Sequence, residues 1–98
     1  LVDHNGLQID GTNDQVMGLG NLKAKFEAFG YAVTEVDGHD LGALEAALQK
    51  PAVAGKPSLL LAKTVKGKGV SFMENQVGWH GKAPNQDERV AALRELEG

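Results

Sequence analysis

Apolar residues recur along this chain in two different periods, and the switching between them predicts the fold. In "NLKAKFEAFG", Leu22, Phe26 and Phe29 follow helical spacing, with Asn21 placed as N-cap and Gly30 as the C-terminal stop. "YAVTEVDG" predicts a strand, because Tyr31, Val33 and Thr34 favour extended backbone and Asp-Gly ends it. Asp40 can cap "LGALEAALQK", which puts Leu41, Leu44 and Leu48 on one stripe before Pro51 closes the helix. "SLLLAKTV" is a continuous apolar run with the length of a strand buried on both faces. "NQDERVAALRELEG" predicts a last helix, with Val90, Leu93 and Leu96 toward the core and Asp87 and Glu88 near its positive end. The opening "LVDHN" reads as the tail of a buried strand, and "GLQIDGTND" and "PAVAGKP" read as loops. Phe26 and Phe29 are expected in the core.

The order is strand, helix, strand, helix, strand, loop, helix. Such alternation predicts an α/β fold: part of a three-layer parallel sheet with flanking helices and right-handed crossovers. Ligands bind such sheets outside the carboxyl ends of the strands. "HNGLQIDG", "DGHD" and "KGKGVSF" follow the three strands in turn, so two of the chemically rich loops are expected on one rim.

Composition narrows the setting. The 98 residues carry a formal charge of -3 and are 42% hydrophobic, which fits one small domain or a piece of a larger one. There is no cysteine, so disulfides, thiolate metal sites and cysteine nucleophiles are excluded. The acidic excess argues against nucleic acid as a partner, and no apolar run is long enough to span a membrane. A cytoplasmic setting is expected. The basic segment "KTVKGKG" contains no acid, and the chain opens without methionine, which suggests a piece of a longer polypeptide.

Three residues stand out chemically, each with two readings. Asn5 precedes Gly6 at a predicted strand end; its amide oxygen suits magnesium or calcium, whereas Asn-Gly is also an ordinary turn. Lys66, among glycines, can bring a compact charge to a phosphate or can belong to a solvated basic loop; "KGKG" lacks the frame of a Walker loop. His80, between Trp79 and "GKAP", can donate to phosphate or move protons, or can be a surface histidine. His4 and His39 are read as structural, and alternation turns His4 away from the face that Asn5 takes. Lys68 is expected to point to water. No acid pair and no serine triad is evident.

At these same residues the sequence resembles transketolases, in particular the amino-terminal subunit of their two-chain bacterial form. The matching runs are "DHNGLQIDGTNDQVM", "LKAKFEAFGYAVTEVDGHD" and "KTVKGKGVSFMENQVGWHGKAP", which cover almost the whole chain. The last run is the most specific. The resemblance implies that residues 1–98 form the carboxyl-terminal portion of a thiamine-diphosphate-binding domain, with thiamine diphosphate and Mg2+ as cofactors. It implies that Asn5 ligates magnesium through its side chain and Leu7 through its backbone carbonyl, and that Ile9 lines the cofactor rings. Lys66 is implied near the diphosphate, and His80 as the catalytic residue that contacts the diphosphate and the substrate's reacting end.

The family's Gly-Asp-Gly turn is absent, because it would precede Leu1. The implied partners are therefore an upstream part of the same domain, a pyrimidine-binding domain or subunit within an oligomer, and sugar phosphates as substrates. The implied reaction transfers a two-carbon ketol unit from a ketose phosphate to an aldose phosphate, with the isolated chain inactive. A split transketolase-like enzyme for another sugar and a non-catalytic interaction fragment are the alternatives. Exposed strand edges and an apolar face are expected of the chain alone.

Overall fold

The computed structural model describes residues 1–98. The apolar run forms β5 (Ser58–Lys63), which lies between β1 (Val2–His4) and β4 (Ala32–Asp37), and both pairings are parallel. Leu59, Leu60, Leu61 and Ala62 are buried, as a central strand covered on both faces requires. Each leucine so placed contributes about 1.5–3 kcal/mol relative to exposure. The register aligns His4, Lys63 and Asp37 in one row at the carboxyl ends of the three strands.

Helix α2 (Leu22–Ala28) precedes β4, and α3 (Leu41–Gln49) joins β4 to β5. The chain crosses the sheet one way from β1 to β4 and returns from β4 to β5, so right-handed connections set α2 and α3 on opposite faces. The caps expected from sequence form: Asn21 Oδ1 accepts the Ala24 N–H at 2.9 Å, and Asp40 Oδ1 accepts that of Ala43 at 2.9 Å. The stop at Gly30 adopts φ 93°, a left-handed conformation suited to glycine. Tyr31, expected in β4, instead sits just before it and packs edge-on against Phe26, with ring centroids 5.6 Å apart.

Two expectations need correction. "GLQIDGTND" is not an open loop: β2 (Leu7–Gln8) and β3 (Gly11–Thr12) pair as a short antiparallel hairpin, followed by α1 (Asn13–Met17). Thr12 and Gln15 close a reciprocal capping box that starts this helix. The helical stripes are also not core. Phe29 is 81% exposed, Leu41 and Leu48 are open to solvent, and so are Val90, Leu93 and Leu96 of α4 (Gln86–Glu97). Helical spacing gives a helix an apolar side; it does not guarantee a neighbour to cover it. The radius of gyration, 16.4 Å, exceeds the ~13 Å of a compact chain of this length, in keeping with a thin, incomplete core.

Candidate functional site

Three strands end on one rim, and each hands over to a loop that carries candidate chemistry. At the end of β1, Asn5 Oδ1 accepts the Leu7 N–H at 2.9 Å, and Gly6 takes φ 75°. The Gly6 carbonyl accepts the Asn13 N–H at 2.9 Å, which closes the base of the hairpin. Asn5 is thus the turn that sequence allowed, yet its half-buried amide oxygen keeps a second lone pair for another partner. Ile9, 61% exposed, stands at the hairpin tip.

The ends of β1 and β5 are tied together beyond the strands themselves. The Thr64 N–H donates to the His4 carbonyl at 3.2 Å, and the Thr64 hydroxyl donates to the Asp3 carboxylate. This register brings Lys66 alongside the Asn5 turn. After Lys66 the chain doubles back on itself, and the Lys66 carbonyl accepts the Asn75 N–H at 3.0 Å. Gly67 makes the reversal possible: with φ 72°, its missing Cβ would lie 2.7 Å from the backbone of Met73. Buried Val70 plugs the centre of the loop.

Charge in this loop is mostly spent on structure. Glu74 Oε1 accepts the Gly69 N–H at 3.0 Å and pairs with Lys68 at 3.7 Å. The Gly69 N–H chiefly, with help from the Lys68 ammonium, holds the Glu74 carboxyl below its ordinary range against a smaller opposing effect of desolvation. Lys68 is therefore partly exposed, as expected, but engaged. Lys82 pairs with Glu88 at 3.3 Å and lies 4.0 Å from the centre of the Trp79 ring. Half-buried Lys66 has no such acidic partner. An unpaired ammonium held near a cleft favours an anion there.

His80 is set by an aromatic anchor. The Trp79 indole N–H donates to the Phe72 carbonyl at 3.1 Å, and the two rings lie 5.7 Å apart. Val77–Trp79 form a single 3₁₀ turn whose end is fixed by the His80 N–H on the Val77 carbonyl at 2.9 Å. The imidazole is left exposed at the rim.

All five residues singled out in the sequence, Asn5, Leu7, Ile9, Lys66 and His80, line one cleft of about 250 Å³. Gln8 and Val77 complete its wall. Neither carries a chemical signature, and only their neighbours in sequence pointed to them. His4 faces a different, larger depression of about 700 Å³ beside Asp37, His39 and Lys63, as alternation predicts. A third depression, about 520 Å³, lies at the amino ends of β4 and β5 among Tyr31, Leu48 and Ser58, away from the rim. His39 has a partner that sequence did not reveal: its Nε2 accepts the Val65 N–H at 2.7 Å.

The cleft offers hard oxygen, an ammonium and an imidazole within one small space. The oxygen of Asn5 and the backbone of Leu7 could hold a divalent cation in part. No group of three or more His, Asp or Glu residues is placed to hold a metal alone. The donor set therefore fits a cation such as magnesium, which completes its shell with phosphate oxygens and water.

Comparison with known proteins covers the chain as a whole. Residues 1–98 match the family described as transketolase, thiamine diphosphate binding domain. The chain is 38% identical over 98 residues to a 6-deoxy-6-sulfo-D-fructose transketolase subunit of Clostridium sp. (strain MSTE9), covering 99% of this chain and 36% of that protein. It is 39% identical over 95 residues to an apulose-4-phosphate transketolase subunit of Actinobacillus succinogenes, covering 97% of this chain and 34% of the relative. It is 39% identical over 98 residues to a transketolase of Sinorhizobium medicae, covering 100% of this chain and 14% of that protein. The chain thus spans about a third of the first two relatives' length and less of the third. A match along its whole length to the thiamine diphosphate binding domain places this chain in the transketolase family.

Proposed function

We propose that this chain supplies part of the thiamine diphosphate and magnesium site of a transketolase, as the carboxyl-terminal portion of the diphosphate-binding domain. The reaction is transfer of a two-carbon ketol unit from a ketose phosphate to an aldose phosphate. The observation that carries this reading is the convergence of Asn5, Leu7, Ile9, Lys66 and His80 on one cleft at the carboxyl rim of a parallel sheet. Asn5 through Oδ1 and Leu7 through its carbonyl would be the magnesium ligands from this chain. Lys66 would neutralise diphosphate charge, and Ile9 would present an apolar side chain to the cofactor rings. When bound, thiamine diphosphate supplies the carbanion and electron-sink chemistry that breaks the ketose carbon bond. His80 would donate a ring N–H to a phosphate oxygen or to a substrate hydroxyl, and can hold or pass a proton there.

The remaining ligands and the pyrimidine side of the site would come from a preceding part of the domain and a partner domain or subunit. Two relatives bear names that denote subunits, which supports an assembled enzyme. Those names also favour a second reading of the substrate, in which the sugar is a sulfosugar or apulose 4-phosphate and the cofactor chemistry is unchanged. Calorimetric titration of the chain with thiamine diphosphate tests the proposal. Binding that requires magnesium and weakens about tenfold or more in Asn5→Ala is expected. Cofactor that binds equally well without magnesium, or unchanged in Asn5→Ala, would overturn the reading and leave a non-catalytic interaction role instead.

A further inference from the structure

We infer that His39 is the positioning residue for Lys66: its imidazole Nε2 holds the Val65 N–H and so fixes the backbone that delivers the next residue to the cleft. This inference rests on the reading of the cleft as a diphosphate site. Four observations place the turn after β4 flat against the end of β5. The Val65 N–H donates to His39 Nε2 at 2.7 Å, and the Gly38 N–H donates to the Lys63 carbonyl at 2.8 Å. The His39 N–H donates to Asp37 Oδ1 at 2.9 Å, which sets the ring's own approach. Gly38 has no room for a side chain, since a Cβ there would collide with the Thr64 methyl and lie 3.1 Å from the Lys63 carbonyl.

The position of Val65 gives this contact its importance. The ladder between β1 and β5 has already ended, with Thr64 donating to the His4 carbonyl, so Val65 is the first amide past it. His39 holds the backbone just before Lys66, and Asn75 holds the Lys66 carbonyl itself. Lys66 is therefore clamped from both sides, although His39 does not line the cleft.

The bond needs a lone pair on Nε2, which only an imidazole with its proton on Nδ1 provides. A doubly protonated ring has no acceptor, and acid removes the contact. The charged and titratable groups that share the depression with the ring are Glu35, Asp37, Lys63, Lys68 and His4, and Glu74 lies near enough to interact with its charge. The amide of Val65 should therefore report the state of the His39 ring.

The test is backbone NMR of the full chain with a pH titration across the imidazole range, from about pH 8 to pH 5, alongside binding of thiamine diphosphate with magnesium. In the wild type, the Val65 and Lys66 amides are expected to shift in step with the His39 ring. His39→Gln, whose Oε1 accepts without titrating, should flatten that shift and keep affinity within about threefold of wild type at pH 8. His39→Leu should lose about tenfold in affinity at pH 8. The pH effect is read as the difference between wild type and His39→Gln, so that contributions from other groups cancel. Amides that do not follow the His39 ring, or that keep titrating in His39→Gln, would overturn the inference, as would wild-type affinity in His39→Leu. If the amides follow the ring but no cofactor binds, the positioning of Lys66 stands and the diphosphate reading falls. If cofactor binds and the amides ignore the ring, the reverse holds.

Discussion

The carboxyl rim of the sheet and the outer faces of its helices are built on opposite terms. At the rim many residues are committed to structure: Gly38 and Gly67 sit where side chains do not fit, Lys68 and Lys82 are paired, and backbone amides find side-chain acceptors. Along the helices, Phe29, Leu41, Leu48 and Leu96 are apolar and open. The site loops are thus specified by contacts within this chain, while the hydrophobic packing is not complete within it. Local chemistry and global stability are separable here, and each can be broken without the other.

The largest effect should come from the narrow core. Leu60→Ala removes a side chain from the buried central strand and is expected to cost about 2–5 kcal/mol, whereas Phe29→Ala should stay within about 0.5 kcal/mol. Denaturant unfolding measures both, and equal costs would erase the contrast between strand and helix faces. Phe29→Ser should in addition reduce self-association in sedimentation experiments, since it removes part of an exposed apolar surface.

Glycine substitutions sharpen the comparison at a smaller scale. Gly55 and Gly67 have nearly the same left-handed φ, 74° and 72°, but only Gly67 has backbone within contact of a new Cβ. Gly55→Ala should cost the conformational penalty alone, about 1 kcal/mol, and Gly67→Ala on the order of 2 kcal/mol or more by the same unfolding assay. Equal losses would mean that the loop around Met73 yields readily and does not fix Lys66.

The smallest effect is electrostatic. Glu74 and Glu88 both titrate below the ordinary glutamate value of 4.5. For Glu88 the chief cause is the Asn85 N–H, with the Lys82 ammonium adding to it and desolvation opposing. A carboxyl whose folded pKa is depressed binds fewer protons folded than unfolded, so its stabilisation is present above 4.5 and is lost as pH falls through the depressed value. Thermal melts from about pH 5 downward should show a slight loss of stability that is reduced in Glu74→Gln and in Glu88→Gln. An unchanged acid slope in both variants would place the acid sensitivity elsewhere.

Much of this was legible in the chain, and the exceptions have physical causes. Caps at Asn21 and Asp40, the stop at Gly30 and the apolar run of β5 act locally, so sequence located them within a residue or two. The hairpin of β2 and β3 was hidden because two-residue strands show no alternation and "IDGTND" has the composition of a loop, although Thr12 and Gln15 carried the signal of the helix that follows. The exposure of the stripes of α2, α3 and α4 is not legible in the sequence, because periodicity reports an apolar side and not its neighbour. The family resemblance singled out five residues that the fold does bring together in one cleft. The role of His39 leaves no sequence signal, because its partner lies 26 residues away, where no spacing rule reaches.

The most direct test of the central claim is amide shift mapping of the labelled chain during titration with thiamine diphosphate and magnesium. The account predicts shifts concentrated at Leu7, Lys66 and His80, on the rim. Shifts concentrated instead around Leu48 and Ser58, at the opposite ends of the strands, would contradict it.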